Sequence, residues 1–169
     1  MPSPERWIEP RLAIIAAGVV GIIVYGSLYP FEFYDNPDVH GPVHDLIASW
    51  RTPTSRDDVI ANILLYLPLG FFSVQSVRRL RSFILVLLVV FAGTVLSVAI
   101  ELTQLYDLEH YSAMADVYAN TAGTLLGATA GVVLRRGFHL RLFWASSRDP
   151  SWFCCWRAGS ATNSFRMCR

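Results

Sequence analysis

Lysine is missing from this chain altogether, and cysteine does not occur before residue 154. Charged residues make up 16% of the 169 positions, against roughly 25% in an ordinary soluble domain. Each shortage excludes something. Without lysine, every fixed positive charge is an arginine, so arginines alone report on orientation. The three cysteines, Cys154, Cys155 and Cys168, fit no zinc spacing, and adjacent cysteines bridge poorly, so neither a zinc nor a disulfide scaffold is expected. The scarcity of charge excludes a chain solvated on all sides.

The missing charge is concentrated in four windows that carry none: Leu12 to Phe31, Val59 to Val77, Ser82 to Ile100, and Val117 to Leu134. Each runs for about 18 to 20 residues, enough to cross a hydrocarbon core of about 30 Å at about 1.5 Å per residue. One such window suits a buried helix; four in a short chain make a polytopic membrane protein. The first is not read as a cleavable signal. Mixed charges precede it (Glu5, Arg6, Glu9, Arg11), no Ala-x-Ala site follows, and Tyr29-Pro30-Phe31-Glu32-Phe33 suits a membrane interface.

Arginine placement sets the topology. Arg6 and Arg11 precede the first segment, and Arg78, Arg79 and Arg81 join the second to the third. Arg135, Arg136, Arg141, Arg148, Arg157, Arg166 and Arg169 follow the fourth. Only Arg51 and Arg56 lie in the other two connections, which instead carry Glu32, Asp35, Asp38, Asp45, Asp107 and Glu109. The positive-inside rule therefore predicts an all-α, four-helix transmembrane bundle with both termini cytoplasmic. The expected organisation is a cytoplasmic N-terminus (1–11), a membrane domain (12–134) and a basic, aromatic, poorly ordered cytoplasmic tail (135–169).

A short repeat then acquires a position. Asp58-Val59-Ile60-Ala61-Asn62 recurs, with one change, as Asp116-Val117-Tyr118-Ala119-Asn120. Acid and amide four residues apart share a helix face. Both copies enter the membrane from the outer side. The third segment ends there too, with Thr94, Ser97, Glu101 and Gln104 along one face. Asp58, Asn62, Glu101, Gln104, Asp116 and Asn120 are thus expected to form an outward-facing polar cluster. Ionisable groups near hydrocarbon normally face the bundle interior or water.

Plainer roles exist for the same residues. Asp58 and Asp116 suit helix N-termini, and Asn62 and Asn120 suit hydrogen bonds between helices. Glu101 fits worse, because an anion at a helix C-terminus opposes the dipole. Gly123, Gly127 and Gly131, and Gly18 and Gly21, read as packing positions, and Pro68 as a bend in the second segment. His40 and His44 are spaced for a metal only if their loop is helical, and Gly41-Pro42 argues otherwise, so no metal and no cofactor is expected. The tail interleaves its arginines with Phe143, Trp144, Trp152, Phe153 and Trp156, a pattern suited to anionic lipid headgroups. No nucleic-acid motif is present.

Four blocks in order complete the pattern: Tyr29-Pro30-Phe31-Glu32-Phe33, Asn62 through Phe71, Ile100-Glu101-Leu102-Thr103-Gln104, and Asp116 through Gly127. Together they resemble the VanZ-like membrane proteins of bacteria, over about Ile14 to Leu134. The resemblance implies a multi-helix inner-membrane protein of the cell envelope, and the namesake is associated with resistance to teicoplanin. Members often carry an arginine between the Glu-x-x-Gln and Asp-x-x-x-Asn blocks. Here Leu105 to Ala115 holds none, and His110 is the only candidate cation.

Three classes of function stay open on this reading. The favoured one is a non-enzymatic module whose outer cluster recognises a lipid-linked glycan, a peptidoglycan precursor or a partner protein. The others are a membrane-embedded enzyme using Glu101 or Asp116 as acid or base, and a proton- or cation-coupled carrier. Association into oligomers is open in each.

Overall fold

The computed structural model describes residues 8–34, 41–51, 54–78, 80–107 and 112–147, with side chains as far as Arg135. Helix α1 (Pro10–Leu28) starts on a proline, whose missing N–H costs nothing in a first turn. It stops before Tyr29-Pro30, where Tyr29 is extended, as a residue ahead of proline is driven to be. A short helix α2 (Pro42–Ala48) follows, continued by a 3₁₀ turn at Ser49–Arg51. Then come α3 (Arg56–Ser76), α4 (Ser82–Gln104) and α5 (Met114–Ser147).

The four spans are therefore present, and α1, α3, α4 and the Met114–Arg135 part of α5 are long and apolar enough to cross a membrane. Their outer faces agree with that. Ile14, Leu64, Phe83, Phe91 and Val133 each expose more than 60% of their surface. Such a belt is costly in water and matches lipid. The expectation that Gly41-Pro42 interrupts any helix reaching His44 from before it agrees with where α2 starts. Gly41 is the extended cap and Pro42 the first helical residue, so the pair starts a helix. Helix α5 also runs past Leu134, where hydropathy ended the fourth span, to Ser147. The compact unit that holds the four spans ends at Val133. The tail side chains from Arg136 onward, with their arginines, aromatics and cysteines, lie outside the described residues.

Backbone pairing defines the two ends of the bundle. At one, Glu9 N–H donates to the Ser76 carbonyl at 2.8 Å, Ile8 bridges Val77, and Arg78 meets Glu9 at 2.5 Å. At the other, Tyr34 N–H donates to the Tyr106 carbonyl at 2.9 Å, and Phe33 bridges Asp107. The first is called the basic end, since Arg11, Arg78 and Arg81 gather there. The second, with Glu32, Asp45, Asp57, Asp58 and Asp107, is the acidic end. Helices α3 and α5 both start at the acidic end, and α4 finishes there.

Glycine brings α3 and α5 into contact. A methyl on Gly123 would overlap the Ile63 backbone, one on Gly127 the Leu67 carbonyl, and one on Gly131 would lie 3.1 Å from the Phe71 carbonyl oxygen. From the other side, Gly70 abuts Thr124 and Ala128. This is the small-residue packing that membrane helices use in place of a hydrophobic driving force. Gly18 and Gly21 differ. Nothing lies within 4 Å of a methyl built on either, so the packing role expected for them does not hold within this chain. Helix α1 packs through Ile23, which is fully buried against Tyr66, Leu69 and Ile100.

Candidate binding site at the acidic end

Three helices deliver side chains to the acidic end on a common four-residue step. Asn62 and Tyr66 come from α3, Glu101 and Ser97 from α4, and Asp116 and Asn120 from α5. Because α4 runs opposite to the other two, its numbers fall as theirs rise. The result is two stacked layers, an outer one of Asn62, Glu101 and Asp116 and an inner one of Tyr66, Ser97 and Asn120. A third step continues with Gly70, Gly93 and Thr124. Here both glycines face Thr124, which is fully buried, and a methyl on Gly93 would lie 2.7 Å from its Oγ1. Close packing thus closes the cluster below.

The outer layer is built around the start of α5. Glu101 is only 3% exposed, and its Oε2 accepts the Ala113 backbone N–H at 2.9 Å. Next to it, Met114 N–H donates to Ser49 Oγ at 2.9 Å, and Ser49 in turn donates to the Leu46 carbonyl at 2.6 Å. Glu101 ends its own helix, where an anion is disfavoured, but it caps the neighbouring helix, where an anion is favoured. That cross-helix cap resolves what looked anomalous in the sequence. Asp116, partly buried in the first turn of α5, has the Asn62 side chain within hydrogen-bonding reach, and Glu101 lies within its electrostatic reach.

In the inner layer Asn120 Nδ2 donates to Ser97 Oγ at 2.9 Å, joining α5 to α4. The Tyr66 ring is 1% exposed, and its hydroxyl lies beside Ser97 and within reach of Glu101. Within the two layers three buried oxygens, Tyr66 Oη, Asp116 Oδ1 and Asn120 Oδ1, have no hydrogen-bond partner among the described residues, and Ser112 Oγ, beside Glu101, is a fourth at the site. Leaving a buried polar atom unpaired costs about 1–3 kcal/mol. The concentration of these oxygens in one cluster marks it as a candidate binding site.

Of the six residues expected in the cluster, Asn62, Glu101, Asp116 and Asn120 come together. Asp58 stands exposed at the rim, within electrostatic reach of Asp116. The cap of α3 is Ser55, whose Oγ accepts Asp58 N–H at 3.1 Å. Gln104 points elsewhere, donating from Nε2 to the Ser27 carbonyl of α1 at 2.8 Å. Tyr66 was missed, although its position four after Asn62 was a usable signal. His44 pairs only with Asp45, at 3.2 Å on the surface, while His40 and His110 lie outside the described residues. Among the described residues no group of three histidine, cysteine or acidic side chains could hold a metal ion.

The VanZ/LLP1 family model matches residues 12–135, which takes in all four spans and every residue of both layers. The chain belongs to the VanZ/LLP1 family. No curated protein and no solved structure gives a significant match. This VanZ/LLP1 protein is a multi-pass membrane protein, and three of the four sequence blocks noted above supply residues to the two layers. Asn62, Glu101, Asp116 and Asn120 all fall inside them. Among the described side chains no arginine or histidine pairs with Glu101 or Asp116.

Proposed function

We propose that this protein is a non-catalytic recognition module of the bacterial cell envelope. It lies in the inner (plasma) membrane with its termini cytoplasmic and its acidic end facing outward. There the cluster receives a polar group from a lipid-linked glycan, a peptidoglycan precursor or a partner protein, and so affects glycopeptide (teicoplanin) susceptibility. The basic tail adds affinity for anionic headgroups. The observation that carries the reading is the two-layer cluster with three unmet buried oxygens. The lopsided distribution of arginine supports the orientation.

The closed floor at Gly70, Gly93 and Thr124 counts against a carrier, which needs access from both sides. Glu101 is held by the Ala113 N–H, which counts against its use as a free general base. In a host lacking the gene, the wild-type copy should restore envelope-stress and teicoplanin responses. Asp116→Asn and Glu101→Gln copies, present in the membrane at equal level, should not. Full restoration by both variants sinks the recognition role of the cluster.

A further inference from the structure

We propose that the group received by the cluster is a protonated primary amine; this rests on the recognition reading above and narrows it to one ligand chemistry. The unmet atoms of the two layers are all oxygens: a carboxylate oxygen of Asp116, the amide oxygen of Asn120 and the hydroxyl of Tyr66. The first two can only accept, so the missing partner is a donor. Asn120 and Tyr66 are far from water, at 4% and 1% exposed, and Asp116 is half-buried.

Charge narrows the choice further. Glu101 and Asp116 lie within electrostatic reach of one another, and the exposed Asp58 within reach of Asp116. The N-termini of α3 and α5 each supply about half a positive charge, which offsets about one carboxylate of the three. An anion would meet repulsion from the carboxylates, with the Tyr66 hydroxyl as its one unpaired donor in the two layers. A neutral hydroxyl would leave the carboxylate charge uncompensated in a poorly solvated place. A divalent metal would need ligands that the described residues do not group. An ammonium group supplies three N–H donors and one positive charge in a compact head. Its single substituent can lead out past Asp58, while the floor at Thr124 stops deeper entry.

The test uses the full chain, purified in maltoside micelles, with the Asn120 side-chain amide observed by NMR. The probes are ethanolamine, choline, dihexanoyl-phosphatidylethanolamine, dihexanoyl-phosphatidylcholine and N-acetylglucosamine. Ethanolamine-bearing probes should shift the amide with a Kd about tenfold or more below their choline counterparts, which offer charge but no N–H. Asp116→Asn should raise that Kd about tenfold. Glu101→Gln, which can still accept the Ala113 N–H and so preserve the fold, should raise it too. Binding by the lipid alone assigns the amine to a headgroup, and equal binding by free ethanolamine assigns it to a soluble amine. Equal affinity for ethanolamine and choline probes, or wild-type affinity in both variants, overturns the proposal. A shift by N-acetylglucosamine alone, abolished in Asp116→Asn, overturns the amine and leaves recognition standing. No shift with any probe removes both.

Discussion

Replacing Gly127 with alanine puts a methyl carbon into the Leu67 carbonyl of α3, and replacing Gly70 puts one 2.8 Å from the Ala128 backbone nitrogen. In both cases the obstructing atom is backbone, which cannot rotate away, so the helices must separate. Overpacking of this kind costs about 1–3 kcal/mol, and separation would also loosen the Thr124 floor. Gly18 and Gly21 supply the matched control, because a methyl there meets nothing within 4 Å. Removing glycine from an unobstructed helix gains about 0.5–1 kcal/mol. The two pairs should therefore differ in sign. Thermal unfolding in one detergent, followed by circular dichroism, reads this directly. Gly127→Ala and Gly70→Ala should melt several degrees below wild type, taking about 2–4 °C per kcal/mol for a chain of this size, while Gly18→Ala and Gly21→Ala match or exceed it. Equal losses in both pairs would refute the assignment of α3 and α5 as the close-packed pair.

Glu101 offers a second comparison. Glu101→Leu strands the buried Ala113 N–H and should destabilise by about 1–3 kcal/mol, whereas Glu101→Gln should lose far less, as chemical or thermal unfolding would record. Ser49→Ala removes a cap from Met114 and should cost about 1 kcal/mol, with faster hydrogen exchange confined to the first turn of α5. Topology is testable with cysteine, since native thiols occur only at 154, 155 and 168. With those removed, Glu32→Cys and Asp45→Cys should react in intact cells with a membrane-impermeant maleimide, and Arg81→Cys should not. The reverse pattern inverts the proposed orientation.

Much of the architecture was legible because membrane spans announce themselves by composition alone. The polar face of α4 was legible for a similar reason, since Thr94, Ser97 and Glu101 stand out in an apolar run. Thr94 meets Thr121 at 3.0 Å and Ser97 meets Asn120, so that face does look toward α5. What escaped the sequence were properties of pairs of helices. Nothing in Glu101 or its neighbours says that it caps the next helix, because the partner N–H belongs to a loop whose approach only tertiary structure fixes. Gln104 shares a face with Glu101 by periodicity, yet one turn at the membrane surface carries it to α1. The two sets of glycines look alike along the chain, and only one meets another backbone. Helix α2, of seven residues, is too short for hydropathy to register.

The four-residue step shared by α3, α4 and α5 restricts how the chain can change length. Adding or deleting one residue between Asn62 and Gly70 would turn everything beyond it by about 100° and shift it by about 1.5 Å. Tyr66 would then leave its layer in the same move that carries Gly70 away from Thr124. The corresponding stretches of α4 and α5 are bound by the same rule, so spacing inside these helices cannot drift without dismantling cluster and helix contact together. Length changes are tolerable where no such step is kept, in the connections away from Ser49 and Ala113.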